Sequence, residues 1–118
     1  MVWTSVLAQD ALPVGKREVV KVGEQKVLIL NHEGTIYALE NACPHLKLSL
    51  AKGKITANGA ITCPFHRSSF NLSSGAVEEW ITWPPVVSKA LSLVSAEKSL
   101  KVFPTRLEEG KIFIDIEV

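Results

Sequence analysis

Two short Cys/His clusters constrain this chain more strongly than any other feature of its sequence. The first is Cys43-Pro44-His45, and the second is Cys63-Pro64-Phe65-His66. Seventeen residues, Leu46 to Thr62, separate them. Each cluster follows a segment that is predicted to be a strand, at the point where a loop would begin. A strand scaffold that holds two loops at one end could therefore fix all four side chains rigidly around one metal centre.

The four side chains suit two kinds of metal centre. Thiolates bind zinc and iron strongly, and imidazole suits both metals, so two Cys and two His could hold one zinc ion or a two-iron cluster. In the iron interpretation both cysteines bind one iron and both histidines bind the other. Neutral imidazole then replaces anionic thiolate on the second iron, which makes the cluster easier to reduce. A structural disulfide between Cys43 and Cys63 is disfavoured in a reducing compartment.

The rest of the chain consists mostly of short β-rich segments with turn signals between them. Ile112, Ile114 and Ile116 alternate with other residues in the last segment, a period that is typical of a strand with one core face. Asn58-Gly59 predicts a hairpin between two short strands. Regular strand spacing of this kind indicates an antiparallel sandwich or barrel. Only Val86–Lys98, after a proline pair, shows helical spacing and predicts a short helix. The predicted strands are Val19–Val22, Lys26–Leu30, Thr35–Leu39, Lys54–Thr56, Ala60–Thr62, Leu100–Phe103 and Lys111–Val118.

Size and charge exclude several classes of protein. The 118 residues suit a single domain spanning the whole chain, 1–118. A formal net charge of +1 argues against a nucleic-acid-binding protein, which needs a concentrated basic face. No apolar run approaches the roughly 20 residues that cross a bilayer, and no signal peptide is visible. We therefore expect no nucleic acid or membrane among its partners, and a cytoplasmic location.

The two clusters resemble the signature of the Rieske family. That signature is C-x-H followed by C-x-x-H, with a proline after each cysteine, and no ligand is missing here. The likeness continues through Ser68, Phe70 and Ser74-Gly75, and upstream through Gly34–Ala38. The ending, Phe103 to Ile116, is similar to the last two strands of the family. The resemblance therefore covers most of the chain.

The resemblance implies an all-β fold of three stacked antiparallel sheets, with a small cluster-binding subdomain at about residues 41–85. It implies one [2Fe–2S] cluster per chain, in which Cys43 and Cys63 hold the buried iron. His45 and His66 would hold the outer iron, near solvent, where the electron leaves. A structural zinc site and a Rieske-like domain without a cluster are the alternatives, although the second kind of domain has lost ligands that this chain keeps.

Within the family the sequence is most similar to the soluble Rieske-type ferredoxins. It shows no large catalytic domain, no N-terminal membrane helix and no second cysteine pair. We therefore expect a one-electron carrier, and not an enzyme, between a reductase and an oxygenase or another acceptor. The rival hypothesis is a redox-sensing or assembly module that uses the cluster as a regulated structural element.

Residues near the predicted ligands are expected to influence the reduction potential of the cluster and the choice of redox partner. Arg67 places a positive charge beside the cluster, where ferredoxins often have glycine, and it should favour the reduced state. Ser68 matches a serine that donates a hydrogen bond to a sulfide in high-potential relatives. Phe70 replaces a tyrosine donor and is expected in the core. Pro84-Pro85 resembles the proline loop over the cluster, and the longer stretch that follows, Val86–Ser99, could shape partner choice.

Overall fold

The computed structural model describes residues 3–42, 49–64, 68–79 and 99–116. The chain divides into two compact units. The first unit comprises Met1–Asn41 and Val102–Val118, and the second comprises Ala42–Lys101. The predicted helix at 86–98 lies outside the described residues. The described secondary structure is β-strand apart from one short 3-10 turn, Gln9–Ala11.

The described strands are short and are numbered here in chain order. They are β1 (Trp3–Ala8), β2 (Arg17–Val22), β3 (Gln25–His32), β4 (Thr35–Glu40), β5 (Lys54–Ile55), β6 (Ala60–Thr62), β7 (Ser69–Asn71), β8 (Val77–Glu79), β9 (Val102–Phe103), β10 (Thr105–Glu108) and β11 (Lys111–Asp115). They form three antiparallel sheets, in the orders β2-β3-β4-β9, β1-β11-β10 and β5-β6-β7-β8. The predicted all-β class with three antiparallel sheets is confirmed.

The β2-β3-β4 meander follows the sequence prediction closely. Strand β3 is apolar and β-branched, and its four central residues, Val27 to Leu30, are all buried. Asn31 connects this strand to its surroundings, because its side-chain amide donates to the Leu12 carbonyl and its Oδ1 accepts from the Gly34 amide. The resulting turn is tighter than predicted, since His32 still pairs with Thr35 and only Glu33-Gly34 form the loop.

The sheet β1-β11-β10 brings the two ends of the chain together. Strand β1, which was not predicted, pairs with β11 along most of its length, with an irregularity between Ser5 and Leu7. The Arg106 guanidinium lies 4.5 Å from the Trp3 ring centroid and 5.7 Å from that of Phe113. Cation–π contacts of this kind stabilise by about 0.5–1 kcal/mol at exposed sites. They connect side chains of all three strands across this sheet.

The core of the first unit lies between its two sheets. The predicted alternation is confirmed, because Ile112, Ile114 and Ile116 are all buried. They pack in one apolar cluster with Val27 and Ile29 of the other sheet. Burying each such side chain contributes about 1.5–3 kcal/mol, so this cluster stabilises the first unit substantially. The remaining buried members of the cluster are Leu12, Ala38 and Phe103.

Candidate functional site

The sheet β5-β6-β7-β8 of the second unit positions the one predicted ligand that the structure describes. Its first hairpin turns at Asn58-Gly59 as predicted. The Thr56 amide donates to the Ala60 carbonyl at 2.8 Å, and Thr56 Oγ1 donates to Asn58 Oδ1 at 2.6 Å. Only Gly59 of the Asn-Gly pair has a positive φ, at 85°. The loop therefore has three central residues and uses glycine alone for the left-handed position.

The backbone directly before β5 approaches β6 closely at Gly53. A Cβ atom at this residue would overlap the carbonyl oxygen of Thr62, and it would lie 3.0 Å from the Leu50 carbonyl oxygen. The Gly53 amide donates to that same Leu50 carbonyl at 2.8 Å. Glycine is therefore required here for space, because the chain before β5 packs directly on the backbone that leads into Cys63.

Cys63 begins the loop that connects β6 to β7. Thr62 pairs with Ser69 at the end of the ladder, and the Cys63 amide then donates to the Ser68 carbonyl at 2.8 Å. Both ends of the loop are thus joined to each other before the loop opens. The Cys63 side chain is 2% exposed and is not disulfide-bonded. Such an anchored, buried thiol is a suitable rigid metal ligand.

The residues that follow the loop are buried more completely than their polarity suggests. Ser68 is 0% exposed and Ser69 is 8% exposed. Every buried side-chain nitrogen or oxygen in the described parts of the chain has a hydrogen-bond partner. Phe70 is fully buried, as expected for a core residue. The segment after the loop is therefore well packed, and its buried polar side-chain atoms are hydrogen-bonded. This packing limits how far Cys63 can move.

The next turn is organised by Asn71, a role that the sequence analysis missed. Asn71 Oδ1 accepts from the amides of Ser73 and Ser74 at 2.9 and 3.1 Å. The Gly75 amide donates to the Asn71 carbonyl at 2.7 Å, and the Gly75 carbonyl accepts from Leu100. An Asn two residues before a Ser-Ser-Gly turn is the sequence signal that could have identified it.

A half-open cavity of about 390 Å³ lies beside Cys63. The described residues that line it are Lys52, Lys54, Thr62, Cys63 and Pro64. The two lysines bring positive charge to the wall that contains the thiol. Positive charge stabilises a thiolate and an anionic cluster bound through it. The charge and the donor chemistry at this wall therefore fit a thiolate-ligated iron centre.

The other predicted site residues lie outside the described parts of the chain. These residues are Cys43, His45, His66, Arg67, Pro84 and Pro85. Within the described residues, no three potential metal ligands come together. No helix in the described parts is long and apolar enough to cross a membrane. The ligand assignment therefore remains a prediction from the motif, with Cys63 as its described member.

Comparisons with known proteins identify the family. The family model described as the Rieske [2Fe-2S] domain matches residues 2–104. The ferredoxin component of the alkene monooxygenase system of Xanthobacter autotrophicus is 30% identical over 115 residues, which are 98% of this chain and 82% of that protein. The biphenyl dioxygenase ferredoxin subunit of a Pseudomonas species is 28% identical over 98% of this chain and 93% of its own length.

A solved structure gives the same fold. The ferredoxin of carbazole 1,9a-dioxygenase from Nocardioides aromaticivorans superposes with a TM-score of 0.77 at 19% identity. The match covers 99% of this chain and 100% of that one. At this identity the likeness supports the fold, while the family follows from the sequence matches. The chain therefore belongs to the Rieske [2Fe-2S] domain family, as an electron carrier with one [2Fe–2S] cluster.

Proposed function

We propose that Cys43, His45, Cys63 and His66 hold the cluster, with the two thiolates on one iron and the two imidazoles on the other. The observation that supports this most directly is the buried Cys63 thiol at the start of a loop closed by its own amide. When bound, the cluster accepts and releases one electron, and its imidazole ligands make it easier to reduce than an all-cysteine cluster.

The protein contributes rigidity and controlled exposure to this chemistry. The Cys63–Ser68 hydrogen bond and the β6–β7 ladder hold one thiolate in place while the charge of the site changes. Burial of Cys63 limits the contact of its thiolate with water. Both effects lower the rearrangement that accompanies electron transfer. They are compatible with the expectation that the electron leaves through the two histidines.

We infer that a reductase supplies the electron and that an oxygenase accepts it. The named relatives support this inference, because they are ferredoxin components of an alkene monooxygenase system and of a biphenyl dioxygenase. We also infer a cytoplasmic location, in agreement with the free Cys63 thiol, since a reducing compartment disfavours disulfides. We place the cluster-binding subdomain at about residues 41–85, a range that falls in the second unit apart from its first residue.

Replacement of one ligand tests the ligand assignment. Cys63→Ser should lose the visible absorption of the cluster, together with about two irons and two acid-labile sulfides per chain. Ser73→Ala, in the exposed turn of the same unit, is the matched control and should retain all three. Retention of a normal visible spectrum in Cys63→Ser would show that this thiol is not a ligand.

Reconstitution of the electron path tests the carrier role. A reductase with NADH or NADPH should reduce the purified protein, and an oxygenase should then reoxidise it over many cycles without loss of iron. A redox-sensing module would behave differently. It would lose the cluster on oxidation and change its partner binding. That outcome would contradict the carrier hypothesis and support the sensor hypothesis.

A further inference from the structure

We propose that the cluster-bearing unit contains a basic docking surface centred on Lys52 and Lys54, and that it receives a carboxylate-rich surface of a redox partner. This inference rests on the proposed carrier function and adds the charge of the partner. Both lysines line the cavity that also contains Cys63 and Pro64. The docking surface is therefore defined here as Lys52, Lys54 and the cavity wall around Pro64.

Both lysines are exposed. Within the described residues, neither Lys52 nor Lys54 forms an ion pair. In the first unit, by contrast, Lys16 pairs with Glu18 and Arg106 pairs with Glu108. Charges that are left unpaired on one wall of a cavity focus the electrostatic field there. Such a wall attracts groups of the opposite charge.

The backbone holds the two lysines on one wall. They flank Gly53, whose backbone packs on Thr62 and hydrogen-bonds to Leu50. Lys54 also pairs with Thr62 in the β5–β6 ladder. The positions from which the two side chains extend are therefore fixed relative to the strand that ends at Cys63. A fixed pair of charges beside a redox centre can orient a partner as well as attract it.

The two units differ in formal charge. This difference favours a protein surface, rather than a small anion, as the partner that the docking surface binds. The second unit contains seven Lys or Arg and three Asp or Glu, a formal charge of +4. The first unit contains six and nine, a formal charge of −3. The whole-chain charge of +1 conceals this difference. Excess positive charge over an entire unit exceeds what one small anion needs, and it suits an extended acidic partner.

Charge reversal tests the proposal with defined redox reagents. The test variant is Lys52→Glu/Lys54→Glu. The matched control is Lys21→Glu/Lys26→Glu, a pair of exposed lysines that face each other across the β2–β3 hairpin of the first unit. Both variants change the net charge equally. Each reduced protein passes one electron to a cobalt(III) complex, which becomes cobalt(II). The probes are the anionic trisoxalatocobaltate and the cationic hexaamminecobalt.

At low ionic strength the test variant should react about tenfold more slowly with the anionic probe than the control variant does. It should react faster than the control with the cationic probe. Both differences should shrink as salt is added, because salt screens exposed charges. The conservative variant Lys52→Arg/Lys54→Arg should keep the wild-type rates, since it keeps both charges.

A second measurement does not depend on electron-transfer rates. The reduction potential of the test variant should shift below that of the control variant, because it places two negative charges beside the Cys63 wall. The potential of Lys52→Arg/Lys54→Arg should match wild type. This shift reports the closeness of the two lysines to the cluster, independently of either probe.

Equal rates in the two double variants would overturn the docking surface, since only total charge would then matter, and equal potentials would overturn its place beside the cluster. A wild-type rate with the anionic probe that does not fall as salt is added would overturn it as well. Neither result would affect the carrier function, which requires only that the wild-type cluster cycle reversibly. A wild type that cannot be reduced reversibly would instead overturn the proposed function on which this inference rests.

Discussion

Replacement of Gly53 by alanine should damage the cluster site from a distance. The added Cβ would overlap the Thr62 carbonyl oxygen and would lie 3.1 Å from Ile61 Cγ1. The overlapped atom belongs to the backbone, so no side chain can rotate away to make room. Either β5 must move away from β6 or the backbone at Thr62 must move. Both changes disturb the residue directly before Cys63.

The expected magnitude follows from the geometry of this contact. Relief of the overlap requires a displacement of about 1 Å to restore an ordinary van der Waals distance. Overpacking of a buried position costs about 1–3 kcal/mol, and a backbone obstacle places Gly53→Ala near the upper end. A loss of about 2–3 kcal/mol lowers the melting temperature of a domain of this size by roughly 8–12 °C. Thermal unfolding followed by far-UV circular dichroism measures this change.

Cluster retention distinguishes this effect from simple destabilisation. Because the displaced carbonyl precedes Cys63, Gly53→Ala should also lose iron and visible absorption faster than wild type in the presence of a chelator. The matched control is Gly59→Ala, in the same hairpin. Gly59 has a φ of 85° and no atom within 4 Å of an added Cβ, so alanine there costs about 1–2 kcal/mol of backbone strain without displacing Thr62.

Equal iron loss in Gly53→Ala and Gly59→Ala would refute this reasoning, because both would then act through stability alone. A wild-type melting temperature for Gly53→Ala would refute it more directly. That result would mean that β5 can shift without cost, and the close approach of β5 to β6 would not be a constraint on the site.

Three further substitutions test other parts of the molecule. Ser68→Ala should lower the reduction potential in voltammetry, whereas Ser69→Ala should not, and equal potentials would show that Ser68 does not act on the cluster. Glu109→Asn should raise the free energy of unfolding in guanidinium by about 0.5–1 kcal/mol, because Glu109 has a φ of 51° and asparagine tolerates this better; an unchanged value would mean that the turn carries no strain. Ile114→Ala should cost about 2–5 kcal/mol in the same assay, and a loss below 1 kcal/mol would contradict a packed core.

Local patterns in the sequence were sufficient for much of the fold. The alternation of Ile112, Ile114 and Ile116 predicted a strand with one core face, and all three side chains are buried in one cluster. The Asn58-Gly59 pair predicted the β5–β6 hairpin. These predictions hold because side-chain period and turn conformation depend on residues that are adjacent in the chain.

The motif alone carried the ligand prediction, because metal-ligand chemistry limits which residue types can serve. A repeated Cys/His pair with a proline after each cysteine indicates metal ligands without any knowledge of the surrounding fold. The structure adds to Cys63 what the motif could not contain, which is its burial and the hydrogen bond from its amide to Ser68. The other three predicted ligands remain assigned from the motif.

Only the tertiary structure decided which distant segments meet. Strand β1 has no strong period of its own, and it exists because it pairs with β11 at the other end of the chain. The need for glycine at position 53 depends on a carbonyl nine residues away. The uneven charge of the two units appears only when Val102–Val118 is assigned to the first unit with the N-terminal strands. A sequence read in order records neighbours along the chain, whereas packing and electrostatics depend on neighbours in space.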